Sequence, residues 1–162
     1  MGKVTIDPKE IRRLCKKEEE KYQFPKFTRE NAKELGELLS EAGLDYEKPI
    51  AVEIRLNGLS VYRFFPEGTN RNNELWLDAK AKTVDMFEMS SLHLWAELEC
   101  TGETLADRRV NELEYAGFGG GFPIRLYNNG VIGTICTSGL DHTDDHRVII
   151  EALELFKERK KI

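Results

Sequence analysis

The sequence predicts an α/β protein of the α+β type: a single domain whose antiparallel β-sheet is built from two hairpins and flanked by helices. Three observations carry that reading. "PIAVEIRLNGLSVYRFF", residues 49–65, alternates apolar and polar positions ahead of an Asn-Gly pair that supplies the two left-handed residues of a tight turn. "FPIRLYNNGVIGTICTSG", residues 122–139, repeats the scheme around Asn128-Asn129-Gly130. The remaining segments carry helical spacing, and helices of that kind must cover the faces of the sheet.

The elements follow in chain order. Residues 7–22 read as a charged helix, with Asp7 as its cap and Pro8 in its first turn. Its apolar stripe, Ile11, Leu14 and Cys15, is too short to hold the helix up alone, so it must dock on the body or on another subunit. "QFPKF" breaks it, and a second helix starts at Thr28, runs through Leu35, Leu38 and Leu39, and stops at Gly43. In the first hairpin Ile50, Val52, Ile54 and Leu56 face inward, in the pattern of a half-buried strand.

"PEGTNRNN" reads as a loop, and from about Asn73 to Glu88 the spacing is helical, with Leu75, Ala79, Lys82 and Met86 on one face and Trp76, Val84 and Phe87 near its edges. Residues 91–100, "SLHLWAELEC", alternate like a strand but are rich in Leu, Ala and Glu, and are assigned to helix. Residues 104–112 form a short charged helix or turn. The last helix begins near Thr143 as cap and turns Val148, Ile149, Ala152, Leu153 and Phe156 inward. The domain division expected is residues 1–27 as an N-terminal charged helical extension and 28–162 as the α/β domain.

The chain has 162 residues, 40% of them hydrophobic and 33% charged, an ordinary globular balance. A net charge of −5 argues against nucleic acid as a partner, because phosphate binding needs a basic surface. No apolar stretch approaches the roughly twenty residues that span a bilayer, so no membrane partner is expected. Cys15, Cys100 and Cys136 are odd in number and widely spaced, as reduced thiols of a cytoplasmic protein would be.

"GFGGG", residues 117–121, places four glycines in five positions. It is not a dinucleotide fingerprint: Phe122 stands where the third glycine belongs, and the run leads into a strand instead of opening a helix. As a loop it allows close backbone approach. Its functional reading is a space for a flat or anionic ligand, made by Gly119, Gly120, Gly121, Phe122 and Pro123, with bare amides and Arg125 available to an anion.

Three ordered motifs, "EIRLNGLSVYRFFPEGTNRNNELWLDAKAKTV", "YAGFGGGFPIRLYNNGVIGTICTSGL" and "DDHRVIIEALELF", resemble the UPF0303 family, part of the haem-degrading (GlcG/HbpS-like) domain superfamily. The likeness covers roughly residues 28–157. It implies an antiparallel sheet flanked by helices and subunits that assemble into homo-oligomers. It also implies a link to haem, because relatives in the superfamily bind haem or are tied to its breakdown and to iron.

The histidines bound the cofactor chemistry. His93, beside Trp95, reads as packed or surface. His142 and His146 bracket the start of the last helix in "DHTDDHRV". At that position the helix dipole disfavours a proton on His146, and a neutral ring can ligate haem iron or a divalent metal. The His142-x3-His146 spacing could bring both rings to one ion; capping and charge balance by Asp141, Asp144 and Asp145 is the alternative. Ser138 lacks a hydrolase elbow, and Cys136 reads as a core thiol, so no catalytic set is assigned. Two functions stand from this reading: an oligomeric binder of haem or another small anionic or apolar ligand, or a non-catalytic, chaperone-like interaction module.

Overall fold

The structure is a computed structural model, and it describes residues 7–162. The helices are α1 (Pro8–Lys21), α2 (Arg29–Gly43), α3 (Arg71–Phe87), α4 (Ser91–Thr101) and α5 (His142–Lys160). The strands are β1 (Gln23–Phe24), β2 (Ala51–Leu56), β3 (Leu59–Phe64), β4 (Gly121–Leu126) and β5 (Gly130–Ser138), with one 3₁₀ turn at Ala106–Arg108. They build one α+β domain around a sheet of order β1-β4-β5-β2-β3.

The expected all-antiparallel sheet is corrected to a mixed one. β2 pairs antiparallel with β3 and β5, and β4 antiparallel with β5, but β1 lies parallel to β4, with Gln23 opposite Arg125 and Phe24 opposite Leu126. β1 falls in the "QFPKF" stretch that reads only as a helix break, because two residues are too few to show a strand period. Its physical role is to deliver Phe24, fully buried against the rings of Phe27 and Phe156 at 5.0 and 5.8 Å.

Capping chemistry sets the helix starts. Asp7 caps α1 with Pro8 in the first turn, and Thr28 and Asn31 form a reciprocal box on α2. Asn70 and Asn73 do the same for α3, which therefore opens at Arg71, inside the segment expected to be loop. Residues 91–100 are helical, with Ser90 capping α4. The cap of α5 is Asp141, not Thr143, so His142 is the first helical residue and not a loop residue.

Helices α2 and α5 cover one face of the sheet, where Leu35, Leu39, Val52, Ile54, Ile124, Ile149 and Leu153 make the main core. Helix α3 covers the other, with Leu77 and Ala81 on Ala51 and Cys136. Two layers of helix explain why β2 is buried on both sides instead of half-buried. They also correct the expected face of α3: Leu75 and Met86 are exposed, whereas Leu77, Lys80, Ala81 and Val84 point inward. Tyr22, Phe24 and Phe27 belong to the main core.

Helix α2 approaches β3 closely at Gly36, where an added Cβ would lie 2.3 Å from the Tyr62 ring. The ring is fixed there by the bond between its hydroxyl and Ser40. Gly36→Ala is therefore expected to destabilise the fold by about 1–3 kcal/mol through overpacking. Urea unfolding measures it, and an unchanged midpoint would contradict the packing described.

Candidate functional site

The site grows from a lysine on the wrong face of a helix. Lys80 sits one turn from Leu77 and Val84 in the buried stripe of α3, and its side chain enters the protein. Its ammonium donates to the Thr137 carbonyl at 2.8 Å and to Asp145 Oδ2 at 3.1 Å, both buried. Asp145 in turn accepts from the Leu140 amide at 3.0 Å, and Thr137 Oγ1 donates to the Asp145 carbonyl at 2.6 Å. The end of β5, the start of α5 and the middle of α3 are thus tied at one point. Burial holds the Asp145 carboxyl above its ordinary range, against the opposing pull of Lys80.

The glycine run is the other half of that junction. A Cβ on Gly120 would lie 2.6 Å from Lys80 Nζ and 2.7 Å from the Thr137 carbonyl, and the residue has φ +119°. A Cβ on Gly119 would meet the His142 carbonyl at 2.3 Å, and one on Gly121 the Val84 methyl at 2.9 Å. The missing side chains admit the protein's own groups. The Gly119 amide donates to His142 Nδ1 at 3.0 Å and the Gly121 amide to Ser91 Oγ at 2.9 Å.

A cavity of about 380 Å³ opens immediately beside this junction, walled by Trp76, Phe118 and His142, with Lys80 and Asp145 beneath and Ser138 at one side. Phe118 meets Trp76 edge-on at 6.1 Å and His142 at 5.6 Å, and Trp95 backs the His142 ring at 5.2 Å. Asn73 reaches Ser138 Oγ at 3.2 Å. Because a backbone amide donates to His142 Nδ1, the ring's proton is on Nε2, and the ring offers a donor, not a lone pair.

Of the residues expected from the sequence to bind a ligand or a metal, His142 alone lines this cavity. Gly119, Gly120 and Gly121 stand behind its wall. Phe122 and Pro123 are buried in β4, and Arg125 donates to the Glu88 carbonyl at 2.6 Å. His146 turns away from the cavity, its Nε2 bonded to Glu18 at 2.8 Å and its ring against Phe122. His142 and His146 therefore occupy different surroundings. His93 is buried, bonded to Glu19 at 2.8 Å. Burial pushes the thiols of Cys136 and Cys15 up to about 12, and Cys136 is a packed core sulfur.

Sequence reasoning missed Lys80, Trp76, Asn73 and Asp145's pairing. The available signal was the order Leu77, Lys80, Ala81, Val84: a lysine at the centre of the correct apolar stripe.

Lys80→Met leaves the Asp145 carboxylate buried without its counter-charge, and a loss of about 3–5 kcal/mol is expected near neutral pH. Removing Lys80 raises the carboxyl further, so the folded state binds a proton that the unfolded chain has shed. The deficit should then shrink as the pH falls through the raised native value. Urea unfolding at about pH 7 and about pH 5 reads this, and a deficit that grows on acidification would refute the assignment to Asp145.

The HbpS-like family of haem-degrading proteins matches residues 27–154. A UPF0303 protein of Streptomyces avermitilis is 34% identical over 143 residues, covering 88% of each chain. One from Schizosaccharomyces pombe is 32% identical over 156 residues, covering 94% of this chain and 87% of its own. Among solved structures, the Ybr137w protein superposes with TM-score 0.82 at 26% identity, covering 96% of this chain and 99% of that one. A PduOC complex with haem gives TM-score 0.65 at 18% identity, covering 79% and 93%, a likeness of fold. The chain belongs to the HbpS-like haem-degrading family and, within it, stands with the UPF0303 proteins.

Proposed function

We propose that this protein binds a small, flat, largely apolar molecule in the cavity between α3 and the start of α5, and that the molecule is haem or a compound of similar shape. The observation that carries the reading is the aromatic wall of Trp76, Phe118 and His142 beside a cavity of about 380 Å³, within the usual size range of ligand pockets. The family's description and the haem complex of PduOC support the choice of haem.

Two features of the site shape how such a ligand would be held. The charged residues of the lining are Lys80, Asp141 and Asp145, and the one cation is already paired. A ligand's carboxylates would therefore stay at the open rim, in water. The donor set suits the face of a macrocycle but not its iron, since His142 presents Nε2–H and Nδ1 is engaged by Gly119. In this reading Gly119–Pro123 act from behind, by holding the wall in place, and Arg125 acts through the Glu88 carbonyl that it anchors. Binding by stacking, without an axial histidine, is the form proposed. Three free cysteines favour a reducing, cytoplasmic setting.

Titration with haemin, followed by absorbance, should give a saturable Soret shift. Trp76→Ala and Phe118→Ala should each weaken it by at least about tenfold, or 1.4 kcal/mol. No saturable shift, or a shift unchanged in both variants, would end the haem reading. A spectrum that loses imidazole ligation in His142→Ala would overturn the stacking form.

A second reading, self-assembly, rests on an apolar groove that shares Trp76 and Phe118 with the cavity and continues over Trp95, Leu98, Leu105 and Leu113. Leu113 is 88% exposed there. A second copy seated on this groove would cover it and complete the rim of the cavity. Light scattering on the intact protein should show a mass above one chain, and Leu113→Asp should lower it; a monomeric wild-type protein would refute the reading.

A further inference from the structure

Away from the cavity, helix α1 lies on α4 through Ile11 and Cys15, which pack on Leu92 and Ala96. Cys15 and Glu18, three residues apart, point from the same face of α1. His146 meets them from the first turns of α5. One donor atom from each of the three, a sulfur, a carboxylate oxygen and an imidazole nitrogen, lies within 4.8 Å of the other two. All three border a second cavity of about 190 Å³, whose other walls include Leu14 and Ile150.

We propose that Cys15, Glu18 and His146 bind a divalent metal ion of the zinc class. Sulfur, nitrogen and oxygen donors together suit a borderline ion of that kind, and donors this close need only small shifts to reach bonding distances. His146 is buried, 4% exposed, and its Nε2 already lies 2.8 Å from a Glu18 carboxylate oxygen, so a nitrogen and an oxygen donor are brought together by the fold itself.

Charge balance points the same way. When the ion binds, the Cys15 thiol releases its proton to solvent and the sulfur bonds to the metal as thiolate. The thiolate and the Glu18 carboxylate together match the two positive charges in a place where an unmatched charge would be costly. Three protein donors leave a tetrahedral ion one open position, facing the 190 Å³ cavity. Since two donors come from α1 and one from α5, the ion would also pin the N-terminal helix to the body. None of the three residues lines the aromatic cavity, so this site stands or falls separately from ligand binding there.

The test uses the full-length protein after treatment with a chelator. Cobalt(II), added as a spectroscopic stand-in for zinc, should bind at one per chain, produce a thiolate-to-cobalt charge-transfer band, and be displaced by zinc. Cys15→Ser should abolish the band, and Glu18→Gln and His146→Gln should each weaken binding by about 10–100-fold. Cys100→Ser should leave it intact. Zinc should also slow alkylation of Cys15 in the wild-type protein, measured on its peptide by mass spectrometry, while leaving Cys100 unaffected; this readout does not depend on any variant folding. A wild-type protein without the charge-transfer band, a band that survives in Cys15→Ser, or a Cys15 alkylation rate indifferent to zinc would overturn the proposal.

Discussion

The arrangement around the aromatic cavity depends on one buried ion pair, Lys80 with Asp145. A lysine ammonium taken out of water is tolerated only if its donors are met, and here a carboxylate and the Thr137 carbonyl meet them at 3.1 and 2.8 Å. Satisfying Lys80 dictates what surrounds it. Gly120 must lack a side chain because Nζ occupies the space where Cβ would be. Asp145 must sit in the first turn of α5, which places His142 three residues earlier, next to the bend. Within the four-glycine stretch Gly120 is thus explained by a charged side chain that crosses it, and Gly119 by the His142 carbonyl. Such a pair adds little net stability against an apolar replacement, but it fixes geometry, because neither partner can move without leaving the other unsatisfied.

That constraint separates the two roles first combined in the glycine run. The run is filled, with the Gly119 and Gly121 amides bonded to His142 and Ser91. Space is found one residue earlier, where Phe118 is half-exposed and turns its ring toward Trp76 and His142. A bend made rigid by Lys80 and by backbone-to-imidazole bonding gives Phe118 a firm base. It also fixes the tautomer of His142, so a single interaction reaches from the core to the chemistry offered at the surface of the cavity.

Much of the fold was legible because local rules and tertiary demands agreed. Asp7-Pro8, the Thr28–Asn31 box and the Asn57-Gly58 turn each state an element boundary in the residues that form it. The failures occur where the deciding partner is remote in sequence. β1 is two residues long and is defined only by its parallel neighbour β4. The face of α3 was misread because Lys80 counts as polar until Asp145, sixty-five residues away, is brought beside it. Likewise His142 and His146 look like one pair at helical spacing, yet they diverge because Gly119 engages the first and Glu18 the second. Spacing along a helix establishes which side chains can meet. It does not say what else has arrived to claim them.

The same point governs the N-terminal helix. Arg13, Lys16, Lys17 and Glu20 face solvent, but Glu18 and Glu19 are spent on two buried histidines from different helices, His146 and His93. Each bond is 2.8 Å long, and Glu19 also reaches Ser90, the cap of α4. Adjacent carboxylates that splay toward α5 and α4 resist both sliding and rotation of α1, which its small apolar stripe of Ile11 and Cys15 could not do alone. Because charge-assisted bonds from buried imidazoles are directional where apolar contact is not, the register of α1 is set by Glu18 and Glu19. That register is what places Cys15 within reach of His146, so the thiol's surroundings follow from how the helix is fastened.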